Sequence, residues 1–235
     1  MGWWRRRRWR RGALWLAGAA VALVVLATGG TFLYFHVISG PTPAPLGLKS
    51  AARTKPGASA ATSVAGTWSV AAGSVVGYRV QEVLFGQNHV AVGRTGAITG
   101  HITISGSAVT AGTFTVQMAT VKSDASQRDV QFRGRIMDTS AYPTATLTLT
   151  GPIALAPLPA TGVVRTFTAS ADLTMHGVTR PVTFPLSAER SSSQIEVSGS
   201  IPVLFANWDI PNPSFTGFVT TQNHGVLEFL LKLAS

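Results

Sequence analysis

The chain has 235 residues, of which 46% are hydrophobic and 12% are charged, and it contains no cysteine. The absence of cysteine excludes disulfides, thiolate metal sites, a cysteine nucleophile and a lipoprotein-type lipid anchor. The net charge of +10 is concentrated before Gly66, and the rest of the chain carries ten bases and nine acids. The positive charge is therefore not spread over a folded face, as it would be in a nucleic-acid-binding domain.

A basic and then apolar leader begins the chain. Six arginines lie in a basic cytoplasmic tail, residues 1–12, and the 26 residues 13–38 carry no formal charge. A helix of that length spans about 39 Å, enough to cross a hydrocarbon core of about 30 Å. Because cationic residues stay on the cytoplasmic side, we expect residues 13–38 to be a single-pass transmembrane signal anchor. It would lie in the cytoplasmic membrane, with the N-terminus inside and the C-terminal domain extracytoplasmic.

A cleaved signal peptide is the alternative interpretation of this leader. The apolar core of such a peptide has about 7–15 residues and precedes a small-residue cleavage site. Val25-Leu26-Ala27 fits such a site, but the apolar run continues through Phe35, which favours the uncleaved anchor. Both interpretations place the following domain outside the cytoplasm.

Residues 39–65 are predicted to be a linker rich in Pro, Ala and Ser. Pro41, Pro43 and Pro45 favour an extended backbone, and a Gly-, Ala-, Ser- and Thr-rich stretch with three bases follows. Such a composition is typical of linkers. We expect it to hold the domain of residues 66–235 at some distance from the bilayer.

From Gly66 onward, apolar and polar residues alternate in at least seven segments. In residues 144–150, for example, Ala145, Leu147 and Leu149 alternate with four threonines. This period of two predicts half-buried antiparallel strands. Many such strands in series predict an all-β fold, an extended eight-stranded antiparallel barrel, with a sandwich as the alternative.

One segment departs from the alternation and predicts a short helix from about Gln127 to Met137. Ser126 is a suitable cap, and Asp129 lies near the positive end of the helix. Arg133 and Arg135 are interpreted as exposed helix charges, with contact to a lipid headgroup as the alternative. The helix is too short to be stable alone, so we expect it to pack on the sheet. The residues expected to make that contact are Val130, Phe132 and Ile136.

Several residues on the predicted inward face are small. They are Gly100, Ala145, Ala169, Ala171 and Gly199. An eight-stranded barrel either fills its interior with side chains or holds one small ligand, and small inward residues can leave room for a ligand. They can equally face bulky Phe and Leu residues in a packed core, and the pattern alone does not decide between the two.

Five motifs follow one another along the predicted barrel. They are Gly-Thr-Trp-Ser-Val at 66–70, Val-Gly-Tyr-Arg-Val at 76–80, Gly-Arg-Thr-Gly at 93–96, Ser-Asp-Ala-Ser-Gln-Arg-Asp-Val at 123–130 with Tyr-Pro at 142–143, and Asp-Leu-Thr-Met-His-Gly-Val-Thr-Arg-Pro-Val-Thr-Phe at 172–184. In this order they resemble the YceI-like family, the polyisoprenoid-binding, lipocalin-like proteins of bacterial envelopes. The resemblance covers about residues 66–235.

The resemblance implies a lipocalin-like barrel around an elongated apolar channel. Such a channel would hold a polyisoprenoid or a similar long-chain amphiphile, such as a prenyl quinone, for storage, transport or envelope stress response. No metal, and no cofactor apart from such a lipid, is expected. The strand alternation itself supplies the candidate ligand-binding residues of the channel. They are Phe114, Val116, Met118, Leu147, Leu149, Phe167, Leu173, Phe184 and Phe229.

No catalytic motif accompanies these features. The five histidines lie at least twelve residues apart, and the motifs of zinc proteases, P-loops, dinucleotide-binding folds and serine hydrolases are absent. We therefore expect that the protein is not an enzyme, since catalysis would require two or three ionisable residues to converge at the barrel mouth. The other alternative is an envelope protein-interaction module with a solid barrel core, no ligand and an unknown protein partner.

Overall fold

The computed structural model describes residues 42–48, 64–84, 86–191, 193–215 and 219–235. The predicted basic tail and transmembrane helix, residues 1–12 and 13–38, lie outside the described residues, as does most of the predicted linker. Among the described residues, no helix combines the length and the apolar character that a bilayer crossing requires.

In the described part of the chain, twelve strands form one antiparallel sheet. In chain order they are β1 (Gly66–Val70), β2 (Val75–Leu84), β3 (Gln87–Thr95), β4 (Ile98–Ser105), β5 (Ala108–Gln117), β6 (Thr144–Leu149), β7 (Ile153–Ala154), β8 (Arg165–Met175), β9 (Val178–Arg190), β10 (Gln194–Leu204), β11 (Val219–Thr221) and β12 (His224–Ala234).

The first four strands form one long hairpin. β1 and β2 make one bent strand, which pairs along its length with the bent strand made by β3 and β4. The chain reverses at Gly86, whose φ of 78° lies in the left-handed region that glycine adopts without strain.

The sheet closes into the predicted barrel. β5, β6, β8, β9, β10 and β12 follow the hairpin in sequence order, and β12 pairs back onto both β1 and β2. With each bent strand counted once, the barrel has eight antiparallel strands. The eight-stranded barrel is therefore confirmed, and the sandwich alternative is wrong.

The two ends of the barrel are covered by different parts of the chain. The helix end carries the turn at Gly86, the helical connection between β5 and β6, and the segment between β10 and β12. The loop end carries the connection between β6 and β8, which includes β7, and the turn between β9 and β10.

The predicted helix is present, and its form differs from the prediction. Helix α1 spans Ser126–Gln131 and continues as a π-helical turn over Phe132–Ile136. Ser126 is the first helical residue and makes no cap hydrogen bond. Instead, the Asp129 carboxylate accepts hydrogen bonds from the backbone N–H of Ser123 at 2.8 Å and from its hydroxyl at 2.7 Å. This pair fixes the entry of the chain into α1.

Two of the three residues expected to pack the helix on the sheet do so. Phe132 is buried and Ile136 is half-buried, but Val130 is 52% exposed. The prediction for Val130 is wrong because residues two apart on a helix point about 200° away from each other. Once Phe132 faces the barrel, Val130 must face away from it.

Candidate functional site

A cavity of about 600 Å³ occupies the barrel interior. Its walls are the inward faces of the strands, and they are overwhelmingly aliphatic and aromatic. The volume falls within the range of roughly 300–1,000 Å³ that is usual for small-molecule sites. The interior is therefore not the solid core that the protein-interaction hypothesis required.

All nine residues predicted from the alternation lie in the lining of this cavity. They are Phe114 and Val116 of β5, Met118 just after it, Leu147 and Leu149 of β6, Phe167 and Leu173 of β8, Phe184 of β9 and Phe229 of β12. The strands thus bring the nine side chains together around one space. Their contact with a lipid stays a prediction.

The small inward residues play two different roles. Ala169 and Ala171 are buried in the wall of the barrel. At Gly100 and Gly199, an added β-carbon would come within 2.7 Å of the Phe114 ring and 2.5 Å of the Phe229 ring, respectively. Gly199 therefore makes room for the Phe229 ring. Gly100 makes room for the Phe114 ring and also for the backbone carbonyl of Thr113, which would lie 2.3 Å from such a β-carbon.

Ionisable residues belong to the lining at both ends of the barrel, Glu189 and Arg190 at the loop end and a larger group at the helix end. Glu82 faces inward on β2, and its side chain is only 8% exposed. Its Oε1 lies 3.0 Å from Nδ1 of His89 and accepts a hydrogen bond from Nη2 of Arg128 at 2.9 Å. Arg128 of α1 also donates to Asp124, four residues earlier. We call Glu82, His89, Arg128 and Asp124 the mouth cluster.

Burial and charge act in opposite directions on Arg128. Burial alone would lower its pKa, but the carboxylates of Glu82 and Asp124 outweigh that effect, so the pKa of Arg128 is raised above its ordinary value. The guanidinium is therefore permanently charged and binds both carboxylates. This arrangement holds α1 against the tip of β2.

Tyr78 is a neutral group beside the mouth cluster. Its ring stacks on Phe132 with a centroid separation of 5.3 Å and an interplanar angle of 14°. Burial raises the pKa of the Tyr78 phenol far above its ordinary value. The hydroxyl is therefore protonated at physiological pH, and the stacked pair joins the helix to the cavity wall.

β11 contributes one more polar group to this end of the cavity. Thr221 stands directly opposite Glu82 in the β2–β11 pairing and belongs to the cavity lining. It is 7% exposed, and among the described residues its hydroxyl oxygen has no hydrogen-bond partner. Because residues directly opposite on paired strands have β-carbons about 5 Å apart, Thr221 and Glu82 form one polar region.

The cavity reaches the protein surface at the helix end. Its lining there includes the exposed residues Gln127, Arg135 and Phe215. Arg135, predicted to be an exposed charge, is exposed. Its guanidinium donates to the backbone carbonyls of Asn212 at 3.3 Å and Pro213 at 3.0 Å, so it links the π-helical turn to the segment before β11.

Sequence reasoning missed Glu82, Arg128 and Thr221 as residues of the site. The signal for Glu82 was present, because Val76, Tyr78, Val80 and Glu82 share one phase of the alternation, and a charged residue in an inward phase is unusual. The convergence of ionisable residues that catalysis would require does occur at the mouth. These residues are distant in sequence, and only the barrel brings them together.

Part of the predicted linker lies on the outer wall of the barrel. We call this segment, residues 42–48, the strap. The backbone N–H of Leu46 donates to Oε2 of Glu228 at 3.1 Å. Arg79 donates to the backbone carbonyl of Pro43 at 2.7 Å, and Arg94 donates to the backbone carbonyl of Ala44.

Glu228 is the centre of this contact. It faces outward on β12, yet it is only 4% exposed. Its carboxylate lies 2.8 Å from Nη2 of Arg94 and 3.5 Å from Nε of Arg79. The strap and the two arginines thus bury a charge on the outside of the barrel, and the strap belongs to the same compact unit as the barrel, Thr42–Ser235.

Comparisons with known proteins agree with the observed architecture. The model of a family described as YceI-like domain matches residues 68–232. A solved polyisoprenoid binding domain from Saccharophagus degradans, implicated in plant cell wall breakdown, is similar with a TM-score of 0.60 at 18% identity, covering 72% of this chain and 98% of that one. BcnA of Burkholderia cenocepacia is similar with a TM-score of 0.52 at 18% identity, covering 67% and 96%. At these identities the likeness is one of fold. A search of the curated proteins found no match.

Proposed function

The chain belongs to the YceI-like domain family, and from this membership we propose that its barrel binds a polyisoprenoid or a similar long-chain amphiphile, such as a prenyl quinone. The observation that carries the proposal is the apolar lining around a cavity of about 600 Å³. The similar domain from S. degradans is described as polyisoprenoid binding, which supports the same class of ligand here.

Burial of hydrocarbon supplies the affinity. Each buried CH₂ contributes about 0.8 kcal/mol, so several isoprene units gain roughly 10 kcal/mol before the ordering costs of binding are subtracted. The tail therefore needs no polar partner. Polar groups are needed only to orient a headgroup, and at the helix end they stand beside the opening. The tail accordingly lies deep in the barrel, and the headgroup stays near Glu82.

The protein carries out this role outside the cytoplasm. The arginine-rich tail and the apolar residues 13–38 support a single-pass anchor in the cytoplasmic membrane, with the barrel on the extracytoplasmic side. The domain stores, transports or presents its lipid beside that membrane, as part of lipid transport or of an envelope stress response. It acts by binding, without catalysis.

The ionisable residues at the mouth fit a binding role. Glu82 contacts both His89 and Arg128, and Arg128 also contacts Asp124. These mutual contacts lock the mouth cluster in place at the edge of an apolar space. Such a fixed polar rim around an apolar pocket is the usual design of a ligand site.

Lipid extraction from the purified full-length protein tests the proposal. Mass spectrometry of the organic extract should find a long-chain isoprenoid in about equimolar amount with the protein. The control is a double variant, Leu149→Trp with Leu186→Trp, whose larger side chains fill the cavity from two half-buried positions of the lining. Because both proteins keep residues 1–41, bulk membrane lipid cancels in the comparison. Equal isoprenoid content in the two proteins would contradict the proposal.

A further inference from the structure

Only one of the two carboxylate oxygens of Glu82 contacts other side chains of the mouth cluster. Oε1 contacts both His89 and Arg128. Within the described ranges of the chain, Oε2 accepts no hydrogen bond, although an ionised carboxylate oxygen has two lone pairs. Glu82 belongs to the cavity lining. A hydrogen-bond acceptor is therefore available at the helix end of the cavity.

Thr221 supplies a second unsatisfied group on the same face of the sheet. Its backbone is fixed, because its N–H donates to Oγ of Ser214 at 2.9 Å and its carbonyl accepts from Nδ2 of Asn212 at 3.3 Å. Its buried hydroxyl has no partner in the described part of the protein. Buried polar groups in folded proteins are almost always hydrogen-bonded, so the position indicates a partner that binds there.

The charges at the mouth determine which headgroup can bind. The guanidinium of Arg128 is already bound by the carboxylates of Glu82 and Asp124. Arg135, the other cation of the lining at this end, is bound to the carbonyls of Asn212 and Pro213. A phosphate on the ligand would place further negative charge against Oε2 of Glu82. Like charges repel strongly at a partly buried site, whereas a hydroxyl would donate a hydrogen bond to the same oxygen.

We propose that Glu82 and Thr221 form a headgroup site that selects a neutral isoprenoid bearing a hydroxyl group over an isoprenoid phosphate. The ligand hydroxyl donates to Oε2 of Glu82, and the Thr221 hydroxyl hydrogen-bonds the ligand oxygen. The inference rests on the proposed function, because the tail must occupy the cavity for the headgroup to reach these two residues. A prenol and a reduced prenyl quinone both offer this chemistry.

The test uses the full-length protein in an amphipathic polymer and three probes with the same 20-carbon tail. Geranylgeraniol, geranylgeranyl monophosphate and the corresponding hydrocarbon compete with radiolabelled geranylgeraniol. We expect the alcohol to bind at least about tenfold more tightly than the phosphate, because the phosphate meets a like charge. The hydrocarbon should bind at least about tenfold more weakly than the alcohol, because it lacks the charge-assisted hydrogen bond to the ionised carboxylate of Glu82.

Two variants separate a headgroup role from a structural one. Glu82→Gln should reduce the preference for alcohol over phosphate several-fold. Thr221→Val should weaken alcohol binding about fivefold and yet raise the thermal midpoint of the lipid-free protein, since it removes a buried unpaired hydroxyl. The control is Glu196→Gln, on the outer wall beside Lys232 at 3.4 Å, which should change neither quantity. A loss of stability in Thr221→Val would mean that the hydroxyl serves the fold, which would overturn its role as a ligand group.

A further pair of probes identifies the source of the hydroxyl. The reduced form of a decyl benzoquinone has hydroxyls that can donate to Glu82, whereas the oxidised form has only acceptors. Tighter binding of the reduced form supports a prenyl quinone, and a preference confined to the alcohol supports a prenol. If all tail-bearing probes bind alike, the cavity binds lipid but the headgroup assignment is wrong. If none binds, the proposed function itself fails.

Discussion

The ring of Phe229 lies against Gly199 of the neighbouring strand, so closely that a β-carbon at position 199 would come within 2.5 Å of it. Phe229 also meets Phe184 edge-to-face, with ring centroids 6.0 Å apart. Gly199→Ala should therefore push the Phe229 ring towards the cavity and lower the free energy of unfolding by about 1–3 kcal/mol, the usual cost of overpacking. Urea denaturation measures this change.

The matched control for that substitution is Gly151→Ala. A β-carbon at Gly151 would meet no atom within 4 Å, so its stability should stay within about 0.5 kcal/mol of the parent, as for most surface changes. Equal losses in the two variants would show that the contact between the ring and Gly199 is not the cause.

Neighbouring residues of β6 test which face of the strand meets the lipid. Leu147→Arg places an unpaired charge in the apolar lining, so it should abolish lipid retention or unfold the domain. Thr148→Arg adds the same side chain on the exposed face, opposite Asp172, and should leave both properties unchanged. Lipid content by mass spectrometry and folding by circular dichroism are measured on both proteins.

Phe167→Asp repeats this test on β8, since Phe167 is half-buried and lines the cavity. It should likewise prevent lipid retention. If Leu147→Arg and Phe167→Asp both fold and both retain lipid, then the inward face has been assigned incorrectly.

The strap depends on the buried carboxylate of Glu228. Glu228→Leu removes the acceptor for the Leu46 N–H and leaves Arg79 and Arg94 without their carboxylate. We expect amide hydrogen exchange in residues 42–48 to become at least about tenfold faster, because a hydrogen bond to a charged group contributes about 1.5–3 kcal/mol. Hydrogen exchange with mass spectrometry measures the rate.

Glu196→Leu is the control for the strap, since Glu196 pairs with Lys232 on the outer wall, away from it. Exchange in residues 42–48 should be the same in this variant as in the parent protein. If exchange in residues 42–48 of Glu228→Leu is as slow as in the parent protein, then contacts other than this carboxylate hold the strap.

The buried phenol of Tyr78 should make the free energy of unfolding depend on pH in the alkaline range. Burial raises its pKa in the folded protein, so above about pH 10 the phenol ionises in the unfolded chain before it ionises in the folded one. The stabilising contribution of the Tyr78 phenol is fully present below about pH 10. Above about pH 10 the free energy of unfolding falls by about 1.4 kcal/mol per pH unit for this one proton. Tyr78→Phe should flatten the decrease measured by urea denaturation between pH 9 and 11. An unchanged slope in Tyr78→Phe would contradict the assignment of this decrease to the buried phenol.

The wall of the cavity was predictable because successive side chains of a strand point to opposite faces, so the orientation of one side chain fixes the orientation of the others. Once Ala145 faces inward, Leu147 and Leu149 must also do so, and the same rule places Phe167 and Leu173 on one face. A barrel then turns every such face to the same interior. This is why all nine predicted residues lie in one lining, although they come from several strands.

The polar end of the cavity depends on contacts that no local pattern encodes. Thr221 meets Glu82 through the register between β11 and β2, which lie far apart in the sequence. Arg128 reaches Glu82 only because α1 crosses the end of the barrel. The orientation of Val130 follows from the helical phase that Phe132 sets, and the alternation of the strands contains no information about that phase.

The cavity also makes hydrostatic pressure a probe of occupancy. Pressure favours unfolding in proportion to the internal void volume that unfolding eliminates, and typical volume changes are about −20 to −100 mL/mol. A bound tail converts void into occupied space, so it should lower the magnitude of the volume change. Compression of this barrel with and without added isoprenoid would therefore report, through one thermodynamic quantity, how much of the 600 Å³ a guest molecule takes up.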